Sequence, residues 1–168
     1  MTADWRGQRV LVIGGSSGIG EATAALAAAA GADVTIASRS GDKLAAAQSR
    51  LPAGVATAVL DVVDDAAVMA FFAGHTPWQH VVLAGSATTT GPVRGLPLAA
   101  ARAAMDNKFW GAYHVGRHAR IADGGSLTFV SGVYAQRPQP DAVLQGALNA
   151  RWKPSRAAWP WSSRRRCA

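Results

Sequence analysis

The chain has 168 residues and a formal net charge of +7, with 49% hydrophobic and 16% charged residues. That length suits one domain with a real hydrophobic core, and the apolar fraction excludes a largely disordered chain. Apolar stretches such as Ala24 to Ala30 fall far short of the ~20 residues a membrane span needs. Met1 to Arg9 carries Asp4, Arg6 and Arg9 and has no apolar leader core, and the lone Cys167 excludes an internal disulfide. A soluble cytoplasmic protein is expected.

The elements read in alternation. Arg9-Val10-Leu11-Val12-Ile13 is a short continuous apolar run ending at Gly14-Gly15, the pattern of a strand buried on both faces. Gly20 to Ala30 is rich in strong helix formers, and Gly31 stands at the C′ position. Val34 to Ala37 reads as a second strand, and Asp42 is expected to cap a helix through Gln48, before Pro52. Val55 to Leu60 is a third strand, followed by a helix opened by Asp64-Asp65 and carrying Val68, Met69, Phe71 and Phe72. A fourth strand spans His80 to Ala84, a long helix runs from about Leu98 to Arg120, and a fifth strand spans Ser126 to Val130. Asp141 then opens a last helix through Leu148. Buried strands alternating with helices predict an α/β doubly wound parallel sheet, because parallel strands need crossovers. The expected strand order is 3-2-1-4-5.

Charge divides the chain. Residues 1–150 hold eleven Lys+Arg against ten Asp+Glu, whereas residues 151–168 hold six basic residues and no acidic one. Trp152, Trp159 and Trp161 lie in the same stretch, so a folded dinucleotide-binding body over 1–150 and an irregular basic tail over 151–168 are expected.

Gly14-Gly15-Ser16-Ser17-Gly18-Ile19-Gly20 lies between the first strand and the first helix. Glycines let the backbone turn tightly and approach a pyrophosphate, while the helix N-terminus offers free N–H groups and a positive dipole end. Ser16 and Ser17 add hydroxyl donors. A plain strand–turn–helix corner is the bland alternative, and the flanking strand and Ala-rich helix weigh against it.

The spacing of Gly14, Gly18 and Gly20 resembles that of the short-chain dehydrogenases/reductases, and the resemblance covers residues 6–150. It implies a Rossmann-like fold and a nicotinamide dinucleotide cofactor. Asp61-Val62 resembles the family's adenine-contacting pair, and Leu83-Ala84-Gly85 stands where typical members read Asn-Asn-Ala-Gly. Asn107 resembles the helical Asn of the catalytic tetrad. Ile13 replaces the usual Thr, and the Asn-Asn pair is absent.

Cofactor choice follows from charge. An acid at the end of the second strand would bind a ribose 2′-hydroxyl and repel a 2′-phosphate. Ser38 stands there, followed by Arg39, whose planar fork suits a phosphate. NADP(H) is therefore expected over NAD(H).

The resemblance places the catalytic Ser, Tyr and Lys at Gly132, Gln145 and Asn149. Amides can hydrogen-bond, but neither can give up a proton and reload near neutral pH. Tyr134 has no Lys four residues on. Of the tetrad, Asn107 alone is retained, so a small-molecule carbonyl or alcohol substrate is expected only if activity survives. A non-catalytic nucleotide-binding or regulatory protein is the alternative. His114 and His118 have metal-compatible spacing but no third ligand, so a solvated or interfacial pair is expected and no metal.

The tail has its own reading. Trp is always TGG and Lys is AAA or AAG, so the last base of Trp152 and the first two of Lys153 spell Glu in the shifted frame. With GC-rich synonyms elsewhere, that frame from the third base of Ala150 reads ALEALARGLALELAPALR, an amphipathic helix of strong formers. The basic tail is then a by-product of an out-of-frame translation, no nucleic-acid partner is expected, and the codons of the gene decide it. Without further strands the fifth strand is an open edge, which predicts self-association.

Overall fold

A computed structural model describes residues 4–85 and 89–150, so the readings for residues 151–168 lie outside the described residues. In chain order the elements are β1 (Arg9–Ile13), α1 (Gly18–Ala29), β2 (Asp33–Ser38), α2 (Gly41–Gln48), β3 (Ala56–Val59), α3 (Asp65–Ala73) and β4 (Trp78–Leu83). Then follow α4 (Leu98–Met105), a π-helical segment (Asp106–Trp110), α5 (Gly111–His118), β5 (Ile121–Phe129), a 3₁₀ turn (Val133–Ala135) and α6 (Val143–Ala150). By their contacts the described residues form two compact units, 4–85 with 110–130 and 89–109 with 131–150.

The first unit carries a five-stranded sheet in the order β3-β2-β1-β4-β5, with every pair parallel, as expected. The inner strands β1, β2 and β4 form because their side chains alternate between two covered faces. Val10 and Val12 of β1, with Val34 and Ile36 of β2, pack with Ala24 and Ala27 of α1 and Leu44 and Ala47 of α2. Leu11 and Ile13 alternate to the opposite face. There right-handed crossovers place α3 and α5, which pack on each other, and Val68, Phe72, Ala112 and Val115 on these helices are buried. Fully burying one Val or Phe side chain contributes about 1.5–3 kcal/mol, so these two layers hold the sheet. A bidentate pair, Arg50 Nε and Nη2 to the Glu21 carboxylate at 2.8 Å each, ties the start of α1 to the residues after α2.

Several expected boundaries shift, each for a local reason. Ser40, not Asp42, caps α2: its backbone is extended and its hydroxyl accepts the Lys43 N–H at 3.3 Å. Asp42 sits in the first turn, where its charge favours the helix dipole. Strand β5 begins at Ile121, before the expected Ser126, because Asp123-Gly124-Gly125 is an irregularity within the strand. The register jumps from Trp78↔Ile121 to His80↔Ser126, and Gly124 takes a φ of +77°. A Cβ on Gly125 would come 2.3 Å from the Gln79 carbonyl oxygen.

The second unit contains α4, most of the π-helical segment, the 3₁₀ turn and α6. The single helix expected over 98–120 is thus divided by five residues of wider winding that include Asn107. Helix α6 starts at Val143, two residues after Asp141, and the 3₁₀ turn packs against it.

Candidate functional site

The carboxyl ends of the strands in the first unit lie in register. Ile13 pairs with Ala37 on one side and with Leu83 on the other, and Ser38 pairs with Val59. The segments that follow, Gly14–Gly20, Ser38-Arg39, Asp61-Val62 and Ala84-Gly85, therefore leave the sheet along one edge. Strand order reverses between β1 and β4, so this edge holds the crevice where open parallel sheets bind ligands.

Backbone bonds hold the crevice together. The Gly14 N–H donates to the Ala37 carbonyl at 2.7 Å, and the Ala84 and Gly85 N–H groups donate to the Ile13 carbonyl at 2.9 and 3.2 Å. The Leu60 N–H donates to the Ser38 carbonyl at 3.0 Å. The first turn of α1 is drawn onto this platform: a Cβ on Gly20 would stand 2.2 Å from the Gly14 carbonyl oxygen, so only glycine allows the approach. Gly18 is left-handed at φ +55°, and a Cβ there would meet nothing within 4 Å. Ser17 is extended at the N-cap and makes no side-chain cap. Ser16 is half-buried, while Ser17, Gly18 and Ile19 are exposed, Ile19 to 64%.

Ser38 is half-buried and its Oγ accepts the Ser40 N–H at 3.4 Å. Arg39 is exposed, and no ion pair among the described residues engages it. The Asp61 carboxylate accepts the Val63 N–H at 3.0 Å, closing the turn between β3 and α3, and the Val62 side chain is buried. Asp64 caps α3 by accepting the Ala67 N–H at 3.0 Å.

The histidine pair is interfacial. His114 Nδ1 lies 2.9 Å from the Val62 carbonyl oxygen, and His118 Nε2 lies 2.8 Å from Asp65 Oδ1. The hydrogen bond from His118, aided by the charges of His118, His114 and Arg117, holds the Asp65 carboxyl below its ordinary value. A depressed carboxyl favours the folded state above its unfolded-state pKa and loses that contribution as the pH falls through the folded value. In urea melts, the stability margin of the wild type over Asp65→Asn should shrink on acidification from about pH 6 to about pH 3. A margin that stays constant would remove the charge from this contact. Among the described residues no group of three or more His, Cys, Asp or Glu could hold a metal ion, and no helix is long and apolar enough to cross a membrane.

All four candidate catalytic positions fall in the second unit. Gln145 and Asn149 lie one turn apart on α6, each only 4% exposed. Gln145 Nε2 donates to the Thr89 carbonyl, and Ser131 Oγ donates to the Asn149 carbonyl at 2.8 Å. A Cβ on Gly132 would come 2.7 Å from Asn149 Nδ2, so the Asn149 amide takes the space of a side chain at 132. Gln145 Oε1 and Asn149 Oδ1 are buried with no hydrogen-bond partner among the described residues. Asn107 is half-buried in the π-helical segment, and no hydrogen bond among the described residues joins it to Gln145 or Asn149. Tyr134 lies in the 3₁₀ turn.

Sequence reasoning missed His114 as a partner of the Asp61-Val62 turn. Its i, i+4 spacing with His118 was visible, but the partner 52 residues away was not.

Comparison with known proteins yields a consistent set. A family model described as short chain dehydrogenase matches residues 8–144. A relative from Streptomyces lividans named "Probable oxidoreductase" is 33% identical over 133 residues, covering 76% of this chain and 45% of its own length. A solved short chain dehydrogenase/reductase family protein superposes with a TM-score of 0.84 at 25% identity, covering 93% of this chain and 70% of that one. A short-chain type dehydrogenase/reductase from Mycobacterium ulcerans gives 0.83 at 25% identity, with 95% and 65% covered. The chain spans about half the length of the curated relatives it matches.

Proposed function

The chain belongs to the short-chain dehydrogenase family, and on that footing we propose that it binds a nicotinamide dinucleotide, NADP(H) in preference to NAD(H), at the carboxyl edge of its sheet. Membership makes its coarse class that of an oxidoreductase fold. One observation carries the proposed cofactor: the exposed start of α1, without a side-chain cap from Ser17, and Arg39, in no ion pair among the described residues, leave the same sheet edge. The residues fit such a ligand. Among the described residues, the space beside Gly18 is open, Ser17 makes no side-chain cap to the first-turn N–H groups, and no ion pair engages the Arg39 fork, which suits a 2′-phosphate. Ser16, Ser17 and Ile19 would line the pyrophosphate, Ser38 and Arg39 the ribose phosphate, Asp61 and Val62 the adenine, and Ala84 and Gly85 the floor. The bound dinucleotide would supply or accept a hydride.

The proposed proton chemistry is impaired. Gly132, Gln145 and Asn149 offer no group that titrates near neutrality, which favours a second reading in which the chain binds the nucleotide without turning over a carbonyl or alcohol. Self-association belongs to the same proposal, because β5 pairs only with β4 among the described residues and leaves an open edge.

Calorimetric titration tests the reading. Wild-type protein should take up NADPH, and Gly18→Val should weaken both NADPH and NADH at least tenfold. A branched residue at φ +55° is strained, and its methyls would fill the open space. Wild-type protein that binds neither dinucleotide would overturn the proposal.

A further inference from the structure

We infer that His114 is a positioning residue for the adenine end of the dinucleotide: from α5 it holds the Val62 carbonyl, and with it the turn that would meet the base. The inference rests on the reading of Asp61-Val62 as the adenine-contacting pair. That turn follows β3, the outermost strand, whose residues are mostly exposed and which pairs on one side only. Its internal bonds, Asp61 Oδ1 with the Val63 N–H and the Asp61 carbonyl with the Asp64 N–H at 3.3 Å, set its shape. They do not set its place against the sheet.

Place comes from elsewhere. At its start, the Leu60 N–H reaches β2 through the Ser38 carbonyl. Beyond that, the buried Val62 side chain seats the turn, and polar contacts from α5 hold its backbone. His114 reaches the Val62 carbonyl, while His118 and Arg117 reach the two oxygens of Asp65 at 2.8 and 3.7 Å. His114 and His118 are four residues apart and so share one helix face, clasping both ends of the stretch from Val62 to Asp65. A carbonyl oxygen only accepts, so His114 Nδ1 carries the proton and donates. α5 itself is anchored by the buried Ala112 and Val115, so the tether transmits the position of the core to an exposed edge.

The test separates the two halves of the cofactor on the full chain. Adenosine 2′,5′-bisphosphate probes the adenine half and nicotinamide mononucleotide the other, both by titration. His114→Leu, of similar size but without a donor, should weaken adenosine 2′,5′-bisphosphate about tenfold and leave nicotinamide mononucleotide within twofold. His114→Asn, whose amide nitrogen stands near the position of Nδ1, should recover most of the loss; His114→Gln, whose donor lies farther out, should not. That Asn–Gln contrast decides the matter even if the Leu variant fails to fold. Equal binding of the adenine fragment by Asn, Gln and wild type, or parallel weakening of both fragments, would overturn the role of His114. Wild-type protein that binds no adenosine 2′,5′-bisphosphate would instead overturn the dinucleotide reading on which it rests.

Discussion

Arg39→Asp should reverse the cofactor preference, with NADPH affinity falling about a hundredfold and NADH affinity rising above it. Arg39 is exposed, and its replacement breaks no side-chain hydrogen bond or ion pair among the described residues, so the effect should fall on the ligand. Hydrogen bonds to charged groups are worth about 1.5–3 kcal/mol, and an aspartate adds repulsion of the 2′-phosphate to their loss. A hundredfold change corresponds to about 2.7 kcal/mol, within reach of those two effects. For NADH the sign inverts, since a carboxylate at this edge accepts hydrogen bonds from a ribose 2′-hydroxyl. Competitive titration of both cofactors against each protein reads the ratio. Equal affinities in the wild type would remove the basis for giving Arg39 this role.

The second large effect is an absence: no measurable NADPH-dependent reduction of common ketones by this chain. A positioned acid or base contributes about 10²–10⁴ in rate. A donor aimed at the developing oxyanion contributes about 10²–10³. Gln145 cannot act as the first, and Gly132 has no side chain to act as the second. Gly132→Ser alone should not restore turnover, because its Cβ would stand 2.7 Å from Asn149 Nδ2 and displace an amide already packed there. Steady-state assays with excess enzyme and simple ketones check this. Turnover at the level of a conventional reductase would contradict the proposed impairment.

Much of the fold was legible because parallel strands covered on both faces leave uninterrupted apolar runs such as Val10 to Ile13. The glycine corner was legible because close backbone approach demands glycine, as the Gly14–Gly20 contact shows. Other features needed tertiary information. Asp123-Gly124-Gly125 has the composition of a turn and lies inside β5, since Gly125 must pass close to the Gln79 carbonyl. The helical pattern ran from about Leu98 to Arg120, but five residues within it wind as π-helix, a difference of hydrogen-bond register that composition does not encode. Ser40 outcompeted Asp42 as a cap because the chain is extended at 40, a matter of backbone direction set by β2. At the candidate catalytic positions, residue identity alone raised the proposal of a missing proton donor. The mutual fit of Gly132 and Asn149 required the structure.

Binding without chemistry is the central claim, and one mixing experiment addresses it. NADPH and a ketone are added together to the 168-residue chain, and cofactor fluorescence and absorbance are followed in the same cuvette. Enhanced, saturable fluorescence with absorbance unchanged over hours is the expected result. No fluorescence change at any NADPH concentration, or steady loss of absorbance with ketone present, would contradict it.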